Sequence, residues 1–140
     1  MFLSYISKNN QTILSLHPRT KKNLKNFNLT KKYKKIIFIK SLDYHKTLEL
    51  VANAKFVITD SGGIQKEAYF MKKPCLTIRS ETEWPETLKF GNNRLIFNKL
   101  DDINKILKFI YFKNKKTSQK SIFGNGKSSN KIINILKRYI

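Results

Sequence analysis

Phe56-Val57-Ile58-Thr59-Asp60-Ser61-Gly62-Gly63-Ile64-Gln65-Lys66-Glu67-Ala68, running on to Pro74-Cys75-Leu76-Thr77-Ile78, is the stretch whose reading decides the fold. Phe56–Ile58 is a short β-branched and aromatic run, the signature of a buried strand. Thr59–Gly63 reads as a turn, and the segment after it, to about Met71, has helical spacing before a second strand at Cys75–Ile78. Strand, glycine turn, helix and strand form the repeating unit of a parallel sheet, whose crossovers are right-handed.

The same alternation continues on both sides. Upstream, Ile13–Leu16 reads as a strand ending at His17-Pro18, and the Lys-rich segment from about Thr20 to Asn28 as a solvated helix. Ile36–Ile39 is the clearest strand. A helix from Asp43 to Ala52 follows, with Asp43 as its N-cap and Tyr44, Leu48 and Val51 on one face. Downstream, Leu95-Ile96-Phe97 adds a last strand, and Asp101 or Asp102 caps a helix through about Phe112. The expected architecture is α/β, a doubly wound, mostly parallel, Rossmann-like sheet. It forms a single domain over residues 1–140, with a core at about 10–115, a polar connector at 116–129 and a terminal helix at 130–140. Ligands of such sheets sit outside the carboxyl ends of the strands, which here means His17, Lys40–Asp43, Ser61–Gly63 and Arg79.

Composition narrows the function classes. Hydrophobic residues make up 40% and aromatics 12%, which fits a packed globular chain and excludes disorder. The 29 Lys+Arg against 9 Asp+Glu give a net charge of +20, so any polyanion is attracted non-specifically. The excess is mostly Lys, scattered in pairs at 21–22, 31–32, 34–35, 72–73 and 115–116, which looks like compositional bias and not a specific nucleic-acid stripe. Cys75 is the only cysteine, and it reads as a small buried hydrophobe, so neither a disulfide nor a Cys-based zinc site is expected. That suits a reducing, cytoplasmic compartment. The run Met1–Ile6 is too short for an exported leader, and no run approaches the roughly 18 apolar residues that cross a bilayer.

Several strand exits carry chemistry. Asp60-Ser61-Gly62-Gly63 opens a helix, so backbone N–H groups and the positive end of the helix dipole point outward, an arrangement that binds anions. A tight turn with Ser61 as a plain N-cap is the alternative. Glu67 stands one helical turn beyond Gly63, where its carboxylate can accept hydrogen bonds from vicinal sugar hydroxyls or merely complement the dipole. Arg79 follows a strand directly and can contact a diphosphate or hold the acidic loop Glu81-Thr82-Glu83-Trp84-Pro85-Glu86. His17-Pro18-Arg19 presents an imidazole and a guanidinium at the first strand's end, either for phosphate and proton transfer or as an ordinary loop. His45 falls on the exposed side of its helix. No pair of His or Cys at ligand spacing accompanies the acids, so no metal is expected, and nothing calls for a cofactor.

Together these segments resemble the non-hydrolysing UDP-N-acetylglucosamine 2-epimerases. The resemblance is carried by Leu16-His17-Pro18-Arg19-Thr20, Leu42-Asp43-Tyr44, Phe56 to Ala68, Pro74 to Arg79, Glu81 to Thr87, and Phe123-Gly124-Asn125-Gly126-Lys127. It implies two facing doubly wound domains of the glycosyltransferase-B type, this chain being similar to the C-terminal one, which holds UDP. Ser61, Gly62 and Gly63 are then expected at the diphosphate, Glu67 at the ribose, Arg79 and His17 near the phosphates, and Arg19 and Glu83 at the substrate, with His17 also the candidate catalytic group.

The family's reaction eliminates UDP from the sugar to leave a 2-acetamidoglucal and returns it after protonation on the opposite face of C2. The carboxylates that handle this proton belong to the N-terminal domain. The resemblance therefore implies a UDP-sugar substrate, a chain inactive alone, and as partner either an N-terminal half or further copies of itself. A transferase half of the same fold and a basic nucleic-acid module are the competing readings. The chain departs from the family pattern at Trp84, where many members have Arg, at Asn125, usually an acid, and at Lys66, often Glu.

Overall fold

A computed structural model of the chain describes residues 2–29, 33–90, 92–97, 102–112 and 122–139. The Lys pairs at 31–32 and 115–116, Asp101 and the first part of the polar connector lie outside these residues.

The order begins with α1 (Phe2–Asn9), β1 (Thr12–Leu16), α2 (Pro18–Asn26) and β2 (Ile36–Lys40). It continues through α3 (Tyr44–Asn53), β3 (Val57–Thr59), α4 (Gly62–Phe70) and β4 (Cys75–Thr77). The remaining elements are α5 (Pro85–Phe90), β5 (Asn93–Leu95), α6 (Ile103–Phe112) and α7 (Ser128–Leu136). Among the described residues all strand pairs are parallel, as strand–helix alternation requires.

The hydrogen-bonded ladder is split into two sets, β1-β2 and β3-β4-β5. In the first, Thr12 faces Ile36 and Leu16 faces Lys40; in the second, β4 is central, with Cys75 between Val57 and Asn93. Successive β4 residues point to opposite faces, and each face is covered by helices. Leu76 packs with Phe2 and Ile6 of α1, with Ile96, and with Ile106 and Ile110 of α6. Cys75 packs on the other side with Ala68 of α4 and Val51 of α3. The doubly wound α/β class is therefore present, and α3, which follows β2 and joins the second cluster, ties the two sets together.

Local chemistry sets the boundaries. The Asp43 carboxylate accepts from the Lys46 N–H at 2.9 Å and starts α3, and Asp102 does the same for the Lys105 N–H at 3.2 Å before α6. The sequence reading missed α1, because its six apolar-leaning residues look too short until Phe2 and Ile6, one turn apart, find the core. It also placed β5 two residues late. The ladder begins at Asn93, whose polar side chain breaks the apolar pattern, and Ile96 is buried just beyond it. Tyr44 does not share the buried face with Val51; its ring is exposed because its hydroxyl is engaged elsewhere. The terminal helix runs two residues ahead of the expected start, from Ser128.

Cys75 is 1% exposed, and burial pushes its thiol up to about 11, only partly opposed by the Thr77 hydroxyl. An aromatic disulfide reagent at pH 8 should therefore leave the native chain unlabelled and react once denaturant unfolds it. Rapid labelling without denaturant would contradict this packing.

Candidate functional site

The site is built around the first turn of α4. Ser61 is its N-cap residue with extended backbone, and its hydroxyl makes no capping bond; its own N–H donates to Thr59 Oγ1 at 3.0 Å. The first α-helical bond runs from the Gln65 N–H to the Ser61 carbonyl at 3.2 Å. The amides of Gly62, Gly63 and Ile64 thus precede the ladder and aim outward with the positive end of the dipole.

The two glycines do different things. A Cβ on Gly62 would sit 3.1 Å from Glu83 Oε2 and 3.4 Å from Trp84 Nε1, so the acidic loop packs directly against that residue. A Cβ on Gly63 would meet only the Ser61 hydroxyl, at 3.8 Å, which leaves the Gly63 side open for a ligand to approach the main chain.

Arg79 holds the acidic loop. Its Nη1 donates to Glu83 Oε1 at 2.6 Å and to Oε2 at 2.9 Å. The Glu83 carboxyl is held below the usual glutamate range by its own backbone N–H and then by this guanidinium, so it stays ionised at neutral pH. Of the two roles the sequence left open for Arg79, the loop contact is the one formed, and Glu83 comes to rest beside the helix entrance.

Beneath lies a buried polar network that the sequence reading did not single out. The Thr82 hydroxyl donates to Gln65 Oε1 at 2.6 Å, and the Asn93 amide donates to the same oxygen at 3.1 Å and to Thr87 Oγ1 at 2.9 Å. Thr77 donates to Asn93 Oδ1 at 2.7 Å, and Thr87 donates to the Trp84 carbonyl at 2.7 Å. These bonds fix α4, β4, β5 and the acidic loop relative to one another. Gln65 Nε2 is buried without a partner among the described residues. The signal that was available is Gln65 itself, a polar residue on the helical face that also carries the buried Ala68 and Tyr69.

A second layer is aromatic. Phe123 packs against Tyr69, Phe70 and Trp84 with centroid separations of 5.3, 5.6 and 6.0 Å. The Lys66 ammonium lies 4.2 Å from the Trp84 ring centroid and 5.2 Å from that of Phe123. These contacts hold Phe123 against α4 and Trp84, and just after it Gly124 and Gly126 take φ of +82° and +78°. Lys66 and Trp84, noted separately in the sequence, are one contact.

Glu67 accepts a hydrogen bond from the Tyr44 hydroxyl at 3.0 Å, so the start of α3 meets the second turn of α4 at this carboxylate. Ser61, Gly62, Gly63, Glu67, Arg79 and Glu83 are therefore gathered around one helix entrance. His17 and Arg19 stand at the exit of β1, in the other set of strands. His17 is the N-cap of α2, with Nδ1 accepting from the Arg19 N–H at 3.3 Å. That bond leaves the neutral ring's proton on Nε2, available as a donor. Among the described residues no three or more His, Cys, Asp or Glu cluster in a way that would hold a metal ion, and no helix is long and apolar enough to cross a membrane.

Comparison with known proteins identifies the family. The sequence profile of the family described as UDP-N-acetylglucosamine 2-epimerase matches residues 2–137. The UDP-N-acetylglucosamine 2-epimerase of Methanocaldococcus jannaschii is 46% identical over 127 residues, covering 89% of this chain and 34% of that protein. A UDP-N-acetylglucosamine 2-epimerase homolog of Methanococcus maripaludis is 40% identical over 138 residues, covering 96% of this chain and 38% of that protein. The crystal structure of the Methanocaldococcus jannaschii enzyme in complex with UDP-GlcNAc and UDP superposes with a TM-score of 0.79 at 41% identity, over 98% of this chain and 38% of that one. The chain thus spans a little over a third of the length of the proteins it matches, in their C-terminal part. A profile match over nearly the whole chain, with that level of identity, settles the kinship: the chain belongs to the UDP-N-acetylglucosamine 2-epimerase family.

Proposed function

We propose that residues 1–140 form one nucleotide-sugar-binding unit, the UDP-holding C-terminal half of an enzyme that interconverts UDP-N-acetylglucosamine and its manno epimer or a modified relative. The observation that carries this is the α4 entrance. Three outward amides, an open Gly63 and a carboxylate one turn further along match a diphosphate joined to a ribose.

The chemistry asks for such a site. Elimination expels UDP from C1, so charge grows on the diphosphate as the bond breaks, and donors fixed around it stabilise that transition state more than the ground state. The same grip keeps UDP in place until it is added back. We assign the guanidinium of Arg19 and the Nε2–H of His17, at the exit of β1, as further donors for that charge. His17 is also our candidate for proton transfer.

Proton removal at C2 needs a base on the sugar, which we assign to the N-terminal half that the longer relatives possess. Consistent with such a partner, α7 exposes Ile132, Ile133, Ile135 and Leu136 along one side, each at least half exposed. A reducing, cytoplasmic setting suits the free, buried thiol of Cys75.

Titration calorimetry with UDP tests the site. Ser61→Ala and Glu67→Ala should each weaken binding roughly 5- to 20-fold, the range expected for one lost hydrogen bond to a charged or diol partner, with the thermal melt unchanged. Equal affinity in both variants, or no heat from the parent chain, would refute the assignment.

A further inference from the structure

We propose that Tyr44 is a positioning residue that sets the preference of this site for a ribonucleotide, by holding the Glu67 carboxylate ready for the ribose diol. The inference rests on the UDP-site reading above.

Tyr44 is the first residue of α3, and Glu67 lies in the second turn of α4; their contact is the hydrogen bond at 3.0 Å between the phenol and Oε1. A tyrosine ring this exposed, at 60%, gains little from burial, so packing does not account for its place. Its orientation is determined locally. Asp43 caps the helix directly before it, and the His45 ring meets it edge-on at 5.7 Å.

The consequence lies at Glu67. An ionised carboxylate accepts about four hydrogen bonds. The phenol occupies one position on Oε1, which selects one rotamer and leaves Oε2 and the remaining lone pairs for two vicinal hydroxyls. Without the phenol, a half-buried glutamate on a helix surface samples several rotamers, and only some of them face the diol. A phenol is a donor at neutral pH in any case, and here the hydrogen bond to Glu67, then desolvation and the Glu67 charge, raise its titration further above the ordinary tyrosine range. A carboxylate fixed in this way discriminates at the sugar and not at the phosphates, since an analogue lacking hydroxyls leaves its oxygens unpaired.

The experiment uses the full chain and two ligands, UDP and 2′,3′-dideoxyuridine 5′-diphosphate, measured by calorimetry against Tyr44→Phe. The parent should prefer UDP, and Tyr44→Phe should shrink that preference about fivefold while leaving dideoxy affinity unchanged. In a Glu67→Ala background, Tyr44→Phe should have no further effect. Equal loss for both ligands would show a merely structural role and overturn the proposal, as would a further loss in the Glu67→Ala background. A parent chain that ignores UDP, or binds both ligands alike, would instead remove the reading of the site or of Glu67 on which the proposal stands. Melting curves of all variants confirm that the fold is retained, and an exposed hydroxyl is a small change to make.

Discussion

Asn93→Leu is expected to lower stability by about 3 kcal/mol, the largest effect of any conservative-sized substitution near the site. Asn93 stands where β5 meets β4, 6% exposed, and its carboxamide serves three partners at once. Leucine keeps the number and branching of side-chain heavy atoms but replaces the carboxamide with two methyls, so the lost hydrogen bonds are joined by some overpacking. The Thr77 hydroxyl loses its acceptor while remaining fully buried, and among the described residues it keeps only the long contact to Cys75 Sγ at 3.8 Å. Gln65 Oε1 keeps Thr82, and Thr87 keeps the Trp84 carbonyl, so the damage is greatest at Thr77. In a chain of this size the corresponding fall in melting temperature is roughly 10 °C. Urea titration with an unchanged slope would give the free energy directly. A loss below about 1 kcal/mol would mean that water or a rearranged Gln65 takes over the role of Asn93.

The second large effect concerns association. Mixing this chain with the N-terminal two-thirds of the Methanocaldococcus jannaschii relative should give a complex, and Leu136→Glu should weaken it about 100-fold or more. On α7, Ile132, Ile133, Ile135 and Leu136 form one continuous apolar arc, while Asn130, Lys131 and Asn134 occupy the other side. None of these apolar groups finds a place in the two core clusters. A glutamate at position 136 puts a charge in the middle of the arc yet leaves the isolated helix soluble, so folding of the remaining chain should be unaffected. Sedimentation measures both points. If Leu136→Glu associates as tightly as the parent, or the parent associates with nothing, the proposed partner is wrong.

Much of the fold could be read from residue type alone. Ile36–Ile39 and Phe56–Ile58 announce strands through β-branching, Asp43 announces a cap, and Ser61-Gly62-Gly63 announces a helix entrance. What escaped depends on long-range pairing. A short α1 becomes a helix only by resting Phe2 and Ile6 on β4 and α6. The split of the strands into two sets is a matter of ladder register that no local pattern encodes.

At the site, the sequence offered the right groups but not their partners. Arg79 had two plausible anions, and proximity in the chain, four residues to Glu83, decides for the loop in the absence of a ligand. His17 is an unusual cap, so nothing in its neighbours foretold that Nδ1 would be occupied. Gln65, Thr87 and Asn93 are residues common at surfaces, and their joint burial follows from three separate elements meeting, α4, α5 and β5.

Trp84 is the chain's single tryptophan, and its indole nitrogen lies against Gly62 while a lysine ammonium rests on its face. All of the protein's indole fluorescence therefore originates at the mouth of α4, beside a cation and two carboxylate oxygens whose fields shift the emission colour. A ligand bound at this entrance is expected to change the intrinsic spectrum, so emission scans during a UDP titration read the proposed site without any dye attached.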